Sequence, residues 1–228
     1  MIKKLLALSI SLSLSFLATS SIVYAKGNVA DGKEKAVSCA GCHGDDGNSM
    51  AGTFPKLAGQ HASYLVKQLH ALKDGTRNAP TMAPLAMALD DESIEDIAAF
   101  YAEQKITKNE MPVLFSDDDE DGNPEKTEEE MAAELKDLLA LGGDLYRNGD
   151  LKRKVSACIA CHGPKGEGNK PASFPALQGQ HADYLIKALT DFKQGGRSNV
   201  PDNMMHMIAK KMTDKEINAV SYHISMMK

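Results

Sequence analysis

The chain has 228 residues, a formal net charge of −5 at pH 7 and no tryptophan. This mildly acidic balance argues against nucleic acid as a partner, because proteins that bind nucleic acid present a basic surface stripe. Ala, Leu, Lys and Glu are plentiful whereas strand-like patterns of Val and Ile are sparse, which predicts an all-α fold.

The first 25 residues have the features of a cleaved signal peptide. Lys3 and Lys4 precede an apolar run over residues 5–18, and Val23-Tyr24-Ala25 forms a small-x-small cleavage site. An uncleaved membrane anchor is the alternative, but the apolar run is short for a spanning helix and is interrupted by four serines. We therefore expect a periplasmic protein, in a compartment where cysteines are handled outside the reducing cytosol.

All four cysteines belong to two Cys-x-x-Cys-His motifs, residues 39–43 and 158–162. A disulfide framework, a zinc site or a thioredoxin-like redox pair would use only the cysteines and would leave the following histidines unexplained. Two thiols at this spacing form thioethers with the vinyl groups of one haem, and the next residue places an imidazole beneath the iron. The motifs therefore predict two haem c groups per chain. The predicted thioether anchors are Cys39, Cys42, Cys158 and Cys161, and the predicted proximal iron ligands are His43 and His162.

The chain contains an internal repeat. When the two motifs are aligned, the segment Phe54–His61 matches Phe174–His181. The predicted organisation is an N-terminal domain over residues 26–112, an acidic linker over 113–129 and a C-terminal domain over 130–228. Each domain is small for a self-sufficient core, and a covalently bound haem would supply the apolar centre.

Each domain is expected to contain about three main helices. Amphipathic stripes follow both repeated segments and stop before Gly75 and Gly195. The final helices are predicted to begin at Asp90 and Thr213, the latter with Glu216 at the capping-box position. The side chains that these final helices should bury are Ile94, Ile97, Tyr101, Ile217, Val220 and Ile224.

The sixth iron position needs a second ligand, and methionine is the candidate that favours electron transfer. Met82 lies seven residues before Leu89 and Met205 lies seven before Met212, so the repeat pairs Met82 with Met205. We predict these two as axial ligands. The alternative is that methionines in these loops fill the core, since Met87, Met204 and Met207 are close by.

Other repeated polar and proline positions suggest supporting roles. The carbonyl groups of Pro55 and Pro175 are candidates for fixing the proximal imidazoles, or these prolines simply shape a loop. His61 and His181 should open helices as polar residues near the haem edge, with distal ligation as the less favoured alternative. Arg77 and Arg197 could pair with haem propionates, but the favoured interpretation is that both side chains face solvent.

The signal peptide, the twin haem motifs, the Phe-Pro-x-Leu-x-Gly-Gln segments and the Met-containing loops together resemble the cytochrome c4 family over nearly the whole mature chain. The resemblance implies two tandem class I cytochrome c domains in a pseudo-twofold arrangement. It also implies His/Met ligation at both irons, through His43 with Met82 and His162 with Met205.

By the same resemblance, the protein is a periplasmic dihaem electron carrier rather than an enzyme. It would take electrons from a quinol-oxidising complex and deliver them to a terminal oxidase, with peripheral association with the membrane as a further expectation. The alternative is a dihaem peroxidase or small-molecule reductase. That alternative calls for asymmetry between the haems, yet both halves offer a methionine at the equivalent place.

The acidic segment between the halves is longer than the resemblance implies. Asp117, Asp119, Asp121, Gly122 and Glu128 satisfy the spacing of an EF-hand calcium loop. However, a proline occupies the eighth position and the chain offers no sister loop. A solvated acidic linker is therefore the favoured interpretation, and calcium binding the alternative.

Overall fold

The computed structural model describes residues 27–112, 127–197 and 203–228, and ten helices lie in these ranges. The helices are α1 (Val29–Lys35), α2 (Val37–His43), α3 (Ala62–Lys73), α4 (Ala83–Met87), α5 (Asp91–Glu103), α6 (Glu128–Asn148), α7 (Ile159–His162), α8 (Ala182–Gln194), α9 (Met204–Ala209) and α10 (Asp214–Ser225). Within this part of the chain, β-structure is limited to two isolated bridges, Asp150 with Val155 and Asn169 with Phe174. None of the helices described here is both long and apolar enough to cross a membrane.

Two predicted features fall outside the described ranges. The signal peptide, residues 1–25, is one of them, and the acidic residues Asp117, Asp119 and Asp121 of the calcium-loop motif are the other. The last position of that motif, Glu128, is the exposed first residue of α6.

The two halves repeat the same order of five helices, which confirms the all-α fold and its duplication. In each half the first helix packs against the last, α1 on α5 and α6 on α10. Glycines permit this close crossing. A Cβ on Gly32 would lie 2.0 Å from the Asp96 carbonyl oxygen, and one on Gly142 would lie 2.0 Å from that of Ala219.

The final helix of each half begins where the sequence predicts. Asp90 caps α5 by accepting a hydrogen bond from the Ser93 amide at 2.8 Å. Thr213 and Glu216 form a reciprocal capping box at the start of α10, which satisfies two amides that the first turn would leave unpaired. The six side chains predicted for the core of these helices are all buried: Ile94, Ile97, Tyr101, Ile217, Val220 and Ile224.

The halves differ in the segment before the haem motif. In the first half a single residue, Ala36, separates α1 from α2. In the second half α6 has 21 residues and is followed by a hairpin-like turn, in which the Asp150 and Val155 backbones exchange hydrogen bonds of 2.8 and 2.9 Å. We call residues 150–155 the inserted turn.

Candidate haem-binding sites

The two thiols of each motif have different surroundings. Cys39 and Cys158 are partly buried and pack against the cores of their halves, whereas Cys42 and Cys161 are exposed, and all four thiols are free of disulfides. Burial raises the pKa of Cys39 and raises that of Cys158 to about 11. Each predicted attachment site thus has one thiol towards the core and one towards solvent.

The imidazole of His43 is fixed from one side and open on the other. His43 ends α2, is buried, and its Nδ1 donates a hydrogen bond of 2.8 Å to the carbonyl of Pro55. Because a carbonyl can only accept, Nδ1 carries the proton and Nε2 keeps its lone pair. That Nε2 is buried without a hydrogen-bond partner, and burial lowers the pKa of His43, which favours the neutral ring. A buried lone pair with no donor facing it fits a metal ligand.

The second half repeats the burial of the histidine and its hydrogen bond to a proline carbonyl. His162 ends α7, is buried, and its Nδ1 donates to the carbonyl of Pro175 at 3.0 Å. Burial lowers the pKa of His162 as well. Phe54 and Phe174, the residues just before the prolines, lie beside the imidazoles of His43 and His162 with ring centroids 6.2 and 6.4 Å apart. The loop after each motif therefore sets the orientation of its imidazole.

A tight backbone contact brings each proline back to its histidine. The carbonyl of Gly47 accepts hydrogen bonds from the amides of Leu57 and Ala58, and the carbonyl of Gly166 accepts from the two equivalent amides. Gly47 has φ +80°, and a Cβ there would lie 2.7 Å from the Ala58 nitrogen and from the Tyr101 ring. Glycine is therefore needed for the conformation and for the close approach.

The two nominated methionines lie at equivalent places in the repeat. Met82 is the residue before α4, whereas Met205 is the second residue of α9, and both are partly buried. Met205 packs against the core of the second half. Of the alternatives, Met87, Met204 and Met207 are exposed. Met82 and Met205 are therefore the methionines of these two segments that are partly buried, and they remain the candidates.

His61 and His181 precede α3 and α8, as expected, but both lie where the halves meet. His181 Nε2 donates to the Ser49 carbonyl across the interface at 2.9 Å, and burial lowers the pKa of His181. The equivalent Nε2 of His61 is buried without a hydrogen-bond partner. The equivalent histidines therefore differ, since only the Nε2 of His181 forms a hydrogen bond.

The expectation that both arginines face solvent is wrong for Arg197, which is 6% exposed. Its guanidinium donates to the hydroxyl groups of Tyr64 at 3.0 Å and Tyr184 at 3.3 Å, and to the Gln68 carbonyl oxygen at 3.1 Å. Arg77 is partly buried and donates to Gln68 at 2.8 Å. The reason is that the docked halves enclose both arginines. We call Tyr64, Gln68, Arg77, Tyr184 and Arg197 the arginine cluster.

The arginine cluster has an excess of positive charge. Among the described residues, neither guanidinium forms an ion pair with a carboxylate, and the Nε of Arg197 is buried without a partner. Although burial raises the pKa of Tyr184, the guanidiniums of Arg197 and Arg77 lower it more, to about 8. The cluster is therefore suited to anionic groups such as the carboxylates of a haem.

Two glutamines that received no role from the sequence join the halves. Gln60 donates to the Ala176 carbonyl at 2.8 Å and accepts from the Ala176 amide at 2.9 Å. Gln180 makes the same pair with Lys56, at 2.9 and 2.8 Å. The contacts are reciprocal because the two halves dock with pseudo-twofold symmetry. The sequence indicates that these two glutamines are equivalent, since both stand at the same place in the repeated Phe-Pro-x-Leu-x-Gly-Gln segment.

Comparison with known proteins agrees with this architecture. The family model described as cytochrome c matches residues 29–105 and 140–228. Cytochrome c4 of Pseudomonas aeruginosa is 41% identical over 223 residues, 97% of each chain. The crystal structure of reduced recombinant cytochrome c4 from Pseudomonas stutzeri superposes with a TM-score of 0.74 at 37% identity, over 89% of this chain and 100% of that one.

A further relative has a name that refers to a redox partner. The thiosulfate dehydrogenase electron acceptor of Stutzerimonas stutzeri is 39% identical over 191 residues, which cover 83% of this chain and 79% of the relative. The family model, the extended identity and the shared fold lead to one assignment. This chain belongs to the cytochrome c4 family, whose members are dihaem electron carriers.

Proposed function

We propose that the mature protein, after removal of residues 1–25, is a periplasmic carrier that moves one electron at a time through two His/Met-ligated haems. The observation that carries the proposal is the buried His43 imidazole, whose Nδ1–H is held by a carbonyl and whose Nε2 is left without a partner. The fixed imidazole recurs at His162. The two haem domains correspond to residues 26–112 and 130–228, joined by the acidic linker.

Different residues would anchor each haem and orient its iron ligand. Cys39 and Cys42 would anchor one haem c by thioethers, and Cys158 and Cys161 the other. Haem c, when attached, supplies an iron that exchanges one electron between its ferrous and ferric states. The carbonyls of Pro55 and Pro175 hold the protons on the Nδ1 atoms, so that each Nε2 presents its lone pair in a set direction.

Met82 and Met205 would complete the two coordination shells. Their thioethers would close the iron to small molecules and raise its potential, as a carrier requires and a peroxidase does not. Burial of both histidines keeps the rings neutral, which suits them to iron. The arginine cluster would receive haem propionates, because its guanidiniums lack carboxylate partners among the described residues and lie between the halves.

For partners, we propose a quinol-oxidising complex as donor and a terminal oxidase as acceptor, with peripheral membrane association. The relative named thiosulfate dehydrogenase electron acceptor supports a second donor, an enzyme that oxidises thiosulfate. Reduction of the purified protein by each donor, followed at the haem absorption bands, distinguishes these routes.

The first experiment is a visible spectrum of the purified mature protein, oxidised and reduced, with haem counted by the alkaline pyridine assay. Two covalent haems per chain, a sharp reduced α band and a far-red thioether-to-iron band are expected. Absence of haem would contradict the proposal. Two haems without the far-red band, together with rapid multi-turnover consumption of hydrogen peroxide, would instead indicate a dihaem peroxidase.

A further inference from the structure

The inserted turn, residues 150–155, exposes an apolar side chain at the surface of the second half. Cys158 lies sixteen positions after Gly142, whereas Cys39 lies only seven positions after the equivalent Gly32, so the turn has no counterpart in the first half. Leu151 in the turn is 92% exposed. Such exposure gains nothing for the stability of the isolated chain.

Lysines lie in the turn and in the segment that contacts it. Lys152 and Lys154 lie in the inserted turn, and Lys210 and Lys211 follow from the end of α9. The Lys211 Nζ donates to the Lys154 carbonyl at 2.7 Å, which ties the two segments together. Within the described ranges none of these four lysines has a carboxylate partner.

The one arginine of the inserted turn is neutralised. Arg153 pairs with Asp150 and with Glu216, and its Nη1 also lies 3.4 Å from the Lys211 carbonyl. These contacts hold the turn against α10 and leave the lysines as its uncompensated charges. The turn is therefore a fixed basic surface and not a loose loop.

The surface borders both segments that serve the second candidate haem site. Val155 ends the turn inside the core against which Cys158 and Met205 pack. On α9, Met207 is 49% exposed and its Sδ lies 3.1 Å from the Lys210 Nζ. We define the basic patch as Leu151, Lys152, Lys154, Met207, Lys210 and Lys211.

The equivalent surface of the first half has a different character. Met87 and Ala88 occupy the repeat positions of Lys210 and Lys211, and Leu85 and Met87 are both exposed. Over residues 27–112 the chain has eight Lys and Arg against twelve Asp and Glu, whereas over 127–228 it has fourteen against thirteen. The two candidate haem sites thus lie in halves that differ in net charge.

We propose that the basic patch is the docking surface for an acidic redox protein that exchanges electrons with the haem of the second half. The four lysines complement an acidic face and steer its approach, while Leu151 and Met207 supply the apolar centre of a short-lived contact. An electron-transfer partner is favoured over an anionic membrane because the patch frames the Cys158 and Met205 segments, where only a redox partner gains from proximity. The inference rests on the proposed carrier function.

The test compares two holoprotein variants of equal charge change. Lys152→Glu/Lys154→Glu/Lys210→Glu alters the patch. The matched control, Lys33→Glu/Lys105→Glu/Lys108→Glu, alters three exposed lysines of the first half. The rate of electron exchange with an acidic plant plastocyanin is measured by stopped flow at several ionic strengths, and the affinity for its redox-inert cadmium form by calorimetry. Spectra and thermal midpoints confirm that both variants are folded and hold two haems.

We expect the patch variant to react about tenfold more slowly than the control at low salt, with a weaker salt dependence and a lower affinity. Equal slowing in both variants would assign the effect to net charge and overturn the proposal, as would unchanged rates in both. Loss of binding to phosphatidylglycerol vesicles in the patch variant with unchanged plastocyanin kinetics would also overturn it, in favour of a membrane surface. Reduction of both haems by dithionite tests their redox competence independently of the patch.

Discussion

The chemistry of each candidate haem site depends on one histidine whose two ring nitrogens have different surroundings. His43 has one nitrogen committed to the Pro55 carbonyl and the other left free in a buried place. The backbone selects the neutral tautomer, since the other neutral tautomer has no Nδ1 proton to donate to the carbonyl. Because the acceptor is the backbone oxygen of Pro55, the side chain at position 55 has little influence on this hydrogen bond. The backbone contact of Gly47, which positions the loop, has more influence on it.

The two methionines proposed as axial ligands give the most direct spectroscopic prediction. Met82→Ala and Met205→Ala should each remove about half of the far-red thioether-to-iron band, and the double variant should remove all of it, because each iron loses its sulfur ligand. The exposed Met87→Ala and Met207→Ala serve as matched controls and should leave the band intact. Loss of the band in a control variant would move the ligand assignment to that methionine.

His181 gives a prediction about pH. An unfolded histidine titrates near 6.5, and burial lowers the pKa of His181 in the folded chain. Below about pH 6.5 the unfolded state therefore takes up a proton that the folded state does not, so the free energy of unfolding falls as the pH falls. Above that pH the contribution of this residue is fully present.

Replacement of His181 by Asn keeps a hydrogen-bond donor but removes the titration. Denaturant unfolding is measured between about pH 4 and 8, a range that spans the ordinary histidine pKa. The free energy of unfolding should fall less in acid for His181→Asn than for the unsubstituted protein. His70→Asn, at a partly buried position on α3, is the control. If both variants lose as much stability in acid as the parent, His181 does not contribute to the slope.

Helices were predictable where their signals are local. The starts at Asp90 and Thr213 could be inferred because a capping side chain and the amide it binds lie three residues apart. The burial of Arg197 could not, because it depends on Tyr64 and Gln68 from the other half. Sequence spacing contains no information about that approach. The charge of an arginine correctly predicts an exposed side chain in most cases, but docking of the halves buries Arg197.

The crossing of α6 and α10 is sensitive to one methyl group. In Gly142→Ala the new Cβ would overlap the Ala219 carbonyl, so the helices must separate, and we expect a loss of about 2 kcal/mol in the free energy of unfolding. The adjacent Gly143→Ala is the control, since its nearest atoms belong to the movable side chains of His223 and Arg147. Equal denaturant midpoints for the two variants would show that the crossing adapts.

The docking of the halves combines a symmetric frame with asymmetric surroundings. Gln60 and Gln180 make the same pair of hydrogen bonds in opposite directions. The residues around these glutamines differ between the halves. Lys56 stands where the other repeat has Ala176, and His181, unlike His61, donates a hydrogen bond to Ser49. A duplicated sequence could predict the twofold frame. It could not predict which half holds the buried lysine contacts, because these involve Thr107 and Asn109 beyond the repeat.

The reciprocal glutamines should control how cooperatively the halves unfold. Gln60→Ala/Gln180→Ala leaves backbone groups of Ala176 and Lys56 buried without partners, at a cost of about 1–3 kcal/mol for each unsatisfied group. Because that cost falls on the interface and not on either core, we expect calorimetry to resolve two thermal transitions in place of one. Gln178→Ala, a partly buried glutamine of the same loop, should retain a single transition. One unshifted transition in the double variant would mean that the arginine cluster and the hydrogen bonds of Asn109 to the second half suffice to couple the halves.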